Sequence, residues 1–219
     1  MRKRGKPAVQ RKMPSKSTIH KEHYFSETPK SQAKFGLVRT CLCGHQFKFL
    51  TASSVFSVKR VDLGTRVLIE NMILPKQGCL LDVGCGYGAV GIAAAKLNPN
   101  LHVVLTDVNR RAVLLARQNA EKNRAHNVEV KHGNLYEPVS GLLFAAVLSN
   151  PPVSAGMEIV EALIRGAPVV TAEGGSFQMV VRSKIGKKNL PRVFIEAFGN
   201  CNVLAIESGY RVLKAEKQK

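Results

Sequence analysis

The chain has 219 residues, 45% of them hydrophobic, and its 33 lysines and arginines outnumber 15 acids for a net charge of +18. That length and apolar content give one sizeable core plus an extension and exclude a fibrous or largely disordered chain, while the charge points to a polyanionic partner, with RNA or DNA ahead of an acidic membrane surface. Five cysteines (Cys41, Cys43, Cys79, Cys85, Cys201), an odd number, argue against a disulfide framework, and the lack of any long apolar run predicts a cytoplasmic protein that does not enter a membrane.

Residues 1–21 hold eight Lys or Arg and no acid, with too few apolar residues to fold around. They are expected to form a disordered basic arm that touches phosphates, or else a solvated tail or a localisation signal. Residues 22–58 read as an N-terminal β extension, because 36–58 alternate and are rich in β-formers. Within it, Cys41-Leu42-Cys43-Gly44-His45 spaces its cysteines too closely for a zinc knuckle, and His20, His23, His45, His102, His126 and His132 are scattered, so no metal is expected.

The main domain is placed at 59–219. It begins with a helical spacing over 62–73, ended by Pro75. Strands are predicted at 79–84, 102–108, 128–134, 144–150 and 176–183, and helices at 89–98, 110–123 and 156–167. A turn is expected at Glu173-Gly174-Gly175, and a closing hairpin over 201–216 turns at Ser208-Gly209. Short apolar strands with helical crossovers imply an α/β fold, with a mostly parallel sheet covered on both faces.

Two stretches carry chemistry. In "LLDVGCGYGAVGIA" (80–93), Gly84, Gly86 and Gly88 allow a tight turn and close backbone approach to a ligand beyond the strand ends. The run GYGAVG also satisfies the dinucleotide pattern, with Asp107 downstream to accept ribose hydroxyls. Asp82, before the first glycine, would repel a pyrophosphate but suits a cofactor bearing ammonium and sulfonium groups, which S-adenosylmethionine does. In "VLSNPPVSAG" (147–156), Asn150-Pro151-Pro152 ends a strand with carbonyls and no competing proline N–H. The Asn150 side-chain oxygen and the Pro151 carbonyl are placed to accept both hydrogens of a planar amine and aim its lone pair at a methyl donor. By itself the same tripeptide also serves as a strand stop with a capped turn.

Asp82–Gly91, Asp107 and Asn150-Pro151-Pro152, with "VFSVKRVDLGTRVLIEN" upstream and "SGYRVLK" at 208–214, resemble the class I S-adenosylmethionine-dependent methyltransferases. More narrowly they resemble the small-methyltransferase-domain family, which includes bacterial 16S ribosomal RNA guanine-N2 methyltransferases and their single-domain archaeal relatives. The resemblance implies a Rossmann-like fold with a seven-stranded, mostly parallel sheet whose last strand is antiparallel, and methyl transfer to a guanine exocyclic amine in RNA. It implies that Asp82 and the backbone of Gly84, Cys85, Gly86 and Gly88 line the methionine end of the cofactor, with Asn150 closing the same site. Asp107 then takes the ribose hydroxyls, Asn134 the adenine amine and Val108 the adenine face. Asn134 stands where relatives carry Asp, and Val153 where amine-directed relatives often carry a base-stacking aromatic. Phe56 is the substitute stacking candidate, ahead of Tyr24 and Phe25. Lys184, in the KIGKK stretch, is a candidate phosphate contact, and Arg211 either faces substrate or closes an ion pair. Transfer RNA guanine or a protein glutamine amide are alternative substrates, and a non-catalytic RNA-binding module is the alternative outside enzymes.

Overall fold

Residues 32, 34–53, 55, 59–151, 156–185 and 189–218 are described by the computed structural model of this chain. The alternating segment after the arm folds into a hairpin of β1 (Phe35–Leu42) and β2 (His45–Ala52). Its turn residues, Cys43 and Gly44, both have positive φ (47° and 77°), the backbone of a tight turn that matches strand twist. The Cys-x-Cys pair therefore belongs to a strand end and a turn. Among the described residues no group of three or more His, Cys, Asp or Glu is gathered as a metal site would be.

The hairpin leads to α1 (Leu63–Asn71) and then to the repeating unit: β3 (Gly78–Val83), α2 (Ala89–Leu97), β4 (Leu101–Asp107), α3 (Arg110–Lys122), β5 (Val128–His132), β6 (Phe144–Ser149), α4 (Met157–Val170), β7 (Thr171–Arg182), α5 (Asn189–Phe198), β8 (Asn202–Glu207) and β9 (Tyr210–Glu216). The seven strands run in the order β5-β4-β3-β6-β7-β9-β8, and β9 alone runs opposite to the other six. Successive side chains of a strand point to opposite faces, so Leu80 and Leu105 enter one core with α1, α2, α3 and the hairpin, whereas Leu81 and Val104 enter a second core under α4 and α5. The direction of winding reverses beside β3, whose neighbours are β4 and β6, and this opens a crevice at their C-terminal ends.

Three details differ from the expectation. α4 extends to Val170, past Ala167, with Pro168 in its last turn. Glu173-Gly174-Gly175 is a bulge inside β7, because the pairing with β6 jumps from Phe144↔Thr171 to Ala146↔Ser176 while Gly174 and Gly175 hydrogen-bond to Lys217. α5 lies where no element was predicted. Its Leu190, Val193, Phe194 and Phe198 are buried at helical spacing, a pattern masked by the basic and glycine-containing stretch before it.

The exposed edge of β2 is closed by side chains. On α3, Asn119 accepts from Leu50 N (2.6 Å) and donates to Leu50 O (2.9 Å), and one turn later Asn123 does the same with Lys48 N (3.0 Å) and Lys48 O (2.9 Å). The two amides satisfy backbone groups that would otherwise invite another strand.

Candidate active site

The crevice holds a cavity of about 220 Å³, lined by Asp82, Gly84, Cys85, Gly86, Asp107, Val108, Asn134, Asn150 and Pro151 together with Val55, Thr65, Tyr87 and Leu135. Its base is the turn from β3 to α2. Gly84 N and Cys85 N both donate to Thr106 O at 2.9 Å, which folds the turn over the end of β4. Gly84 and Gly86 have φ of +72° and +58°, and no atom stands within 4 Å of where a side chain would begin on either. A ligand can therefore lie directly on backbone. Gly91 allows the opposite kind of approach: a Cβ there would come within 2.6 Å of Leu105 Cδ1, so glycine lets α2 settle against β4. In that position Gly91 N donates to Asp82 Oδ2 at 2.8 Å.

Asp82 is 1% exposed. Burial raises its pKa to about 7, the charge of Asp107 adds to the rise, and the Gly91 hydrogen bond only partly opposes it. Burial also raises Asp107, against the pull of the Asn109 and Gly86 N–H groups and of His132. Those N–H groups fix both Asp107 oxygens, with Asn109 N on Oδ1 and Gly86 N on Oδ2, each at 2.8 Å. His132 pairs with Asp107 across β4 and β5, and its Nε2 lies 2.9 Å from Val108 O. No local motif marks His132, and only the strand register brings it beside the acid. The Cys85 thiol is pushed well up by burial and by the charges of Asp107 and Asp82, which keeps it protonated.

Asn150 follows β6 at the opposite wall. Its Nδ2 donates to Thr65 Oγ1 at 2.9 Å and to Asp62 Oδ2 at 3.3 Å. Asp62 is the N-cap of α1, accepting on the same oxygen from Gly64 N (2.9 Å) and Thr65 N (3.3 Å). Asp-Leu-Gly-Thr announces a helix start in the sequence, but nothing local says that it faces a residue 85 positions later.

Among the residues singled out in the sequence, Asn134 is exposed on the cavity's rim and Val108 is half-buried within it. Gly88 caps α2 with φ +91°. Lys184 is exposed on the turn after β7 and is not part of the cavity lining. Arg211 is buried and its guanidinium donates to Ile185 O at 3.3 Å. Pro152, Val153, Phe56, Tyr24 and Phe25 lie outside the described residues, as does the arm.

A bare glycine turn, two acids ordered by backbone N–H groups and an asparagine thus line one cavity, with open backbone on one side and hydrogen-bond acceptors around it. Residues 46–214 match the model of the methyltransferase small domain. The chain belongs to the methyltransferase small domain family. It is an S-adenosylmethionine-dependent methyltransferase. It is 35% identical over 198 residues to YbxB of Bacillus subtilis, covering 90% of this chain and 98% of that one. It is 31% identical over 173 residues to ribosomal RNA small subunit methyltransferase C of Erwinia tasmaniensis, covering 77% of this chain but 49% of the relative. The chain thus spans about half the length of the ribosomal RNA methyltransferases it matches. The fold is shared with the T. thermophilus 16S rRNA methyltransferase RsmC, solved in complex with AdoMet and guanosine, with a TM-score of 0.75 at 23% identity over 87% of this chain and 52% of that one. A precorrin-6y methyltransferase from Geobacter metallireducens shares it at a TM-score of 0.62 and 20% identity, over 78% of this chain and 94% of that one. A fold common to both leaves the acceptor open.

Proposed function

We propose that this methyltransferase acts on the N2 amine of guanine in small-subunit ribosomal RNA, in the cytoplasm. The observation that carries the reading is that Asn150 lines the same cavity as the glycine turn and Asp107, so an amine acceptor and a donor cradle face one space. When bound, S-adenosylmethionine supplies an electrophilic methyl group on a sulfonium. Asp82 offsets positive charge at the methionine end and gains from it, because a nearby cation favours its ionised form. Asp107 presents its remaining lone pairs to the ribose hydroxyls. Asn134 takes the adenine amine on the rim, and Val108 packs against the adenine face. Asn150 Oδ1 and the Pro151 carbonyl each accept one hydrogen of the target amine, which turns the nitrogen lone pair toward the methyl. No strong base is needed beforehand, since the methylated nitrogen is acidic and releases its proton to water.

RNA as the acceptor is supported by the names of the relatives and by the placement of charge. No acid occurs between Glu27 and Asp62, and within that span Arg39 and Lys48 stand opposite each other on the outward face of the hairpin, both exposed. The test is transfer of labelled methyl groups to total RNA and to assembled small subunits, followed by nucleoside analysis. The expected product is N2-methylguanosine in 16S rRNA, and Asn150→Ala lowers the rate by about two orders of magnitude while cofactor binding persists. Label in transfer RNA or in protein glutamine overturns the ribosomal assignment, and no label anywhere overturns the enzymatic one.

A further inference from the structure

We infer that Thr65 and Asp62, at the start of α1, are positioning residues that hold the Asn150 amide in the one orientation able to accept the target amine. The inference rests on the reading of Asn150 as that acceptor. A primary amide has nearly the same shape when turned by half a revolution, but its chemistry reverses: the NH₂ group would then meet the incoming NH₂, donor against donor. Here one orientation is selected from behind. Nδ2 donates to Thr65 Oγ1 at 2.9 Å and to Asp62 Oδ2 at 3.3 Å; the turned amide would oblige the Thr65 hydroxyl to donate instead, would lose the bond to Asp62 and would set its own oxygen against a carboxylate. Oδ1 is the atom left for the cavity.

The anchor is itself fixed. Asp62 Oδ2 also caps α1 through Gly64 N and Thr65 N. A Cβ on Gly64 would fall 2.8 Å from Tyr210 Cε1 and 3.0 Å from Asp62 Oδ2, so the first turn of α1 is wedged between β9 and its own cap. The Asp62 charge has a second effect. Lying behind the NH₂ group, it polarises the amide and concentrates negative charge on Oδ1. Hydrogens on an amine that is giving up its lone pair to a methyl grow more positive, so this gain is larger in the transition state than in the bound complex.

The hydroxyl is tested by Thr65→Val, which keeps the shape and the cap, against Thr65→Ser, which keeps the hydroxyl. Single-turnover transfer falls about tenfold or more in the valine variant and stays within about threefold of the parent in the serine variant, while calorimetric affinity for S-adenosylmethionine is similar in both. The carboxylate is tested by exchange. Asn150→Asp places two carboxylates face to face and is slow despite its two acceptor oxygens. Adding Asp62→Asn sets an amide donor opposite the new acid and recovers at least about tenfold, although Asp62→Asn alone slows the parent. A purely structural role for Asp62 does not reverse sign in this way. The inference is overturned if Thr65→Val transfers at the parental rate while Asn150→Ala is slow, or if Asp62→Asn leaves Asn150→Asp no faster. Should melting show Thr65→Val to be unstable, the exchange decides alone. An Asn150→Ala variant as fast as the parent removes the acceptor reading itself, and the anchor with it.

Discussion

Asp82 sits in an environment that opposes its charge. With a folded pKa of about 7 against an ordinary value of 3.8, it holds a proton that the unfolded chain has already released. Its contribution to folding therefore worsens as pH rises from the ordinary value to about 7 and is constant above that. A cation bound beside it reverses the sign, because the complex favours the ionised acid. Affinity for S-adenosylmethionine should accordingly strengthen from about pH 5.5 to 7 by up to about one decade per unit and then level off. Calorimetry across that range checks this, and Asp82→Asn should flatten the profile. Asp107 has a different task. Both of its oxygens are already oriented by N–H donors, and Asp107→Ala should weaken cofactor binding by about 1–3 kcal/mol, the cost of leaving ribose hydroxyls unpaired. Binding unchanged in that variant would remove Asp107 from the site. These acids were legible in the sequence as cavity-lining candidates because each stands at or near the end of a strand that a turn and a helix follow, Asp82 in β3 and Asp107 in β4. His132, Thr65 and Asp62 were not, since their proximity to Asp107 and Asn150 arises from sheet register and helix docking, which have no local signature.

At the level of elements, the seating of α2 decides whether the turn beneath it is usable. Gly91→Ala would drive a methyl into the fully buried Leu105, at a cost of about 1–3 kcal/mol in stability. The same displacement would draw the Gly91 N–H away from Asp82, so the variant should lose cofactor affinity as well, read by melting with and without S-adenosylmethionine. A variant that melts lower but gains the usual ligand-induced shift would separate packing from binding. The hairpin makes a separate prediction. Arg39→Glu with Lys48→Glu should weaken RNA binding and reduce its salt dependence by about 0.7–0.9 in slope for each phosphate no longer neutralised, leaving the cofactor isotherm unchanged. The strands β3 to β6 were readable because each is a short apolar run bounded by glycine or polar residues, and α3 and α4 because their apolar residues recur at helical spacing, whereas α5 was not. The bulge in β7 was not, because Glu173-Gly174-Gly175 has the composition of a turn and only the hydrogen bonds to Lys217 show that the strand continues through it.

Over the whole molecule, the alternation of strand and helix signals specified the two-sided sheet, and the position of the cavity followed from the reversal of winding beside β3. Net charge belongs to this scale too. Removing residues 1–21 takes away eight of the 33 basic side chains, and should flatten the salt dependence of RNA binding without altering cofactor affinity. Equal slopes for the full and shortened chains would show that the arm makes no phosphate contacts. No helix among the described residues is long and apolar enough to cross a membrane. The asparagine pair on α3 has a reach of its own. Asn119 Nδ2 donates to Leu50 O and also to Tyr87 O, and Tyr87 lies in the glycine turn. One side chain thus ties the hairpin to the turn that lines the cavity. Whatever steadies the turn steadies the hairpin, so the backbone amides of Lys48 and Leu50 should exchange with deuterium more slowly when S-adenosylmethionine is bound, although neither residue lines the cavity.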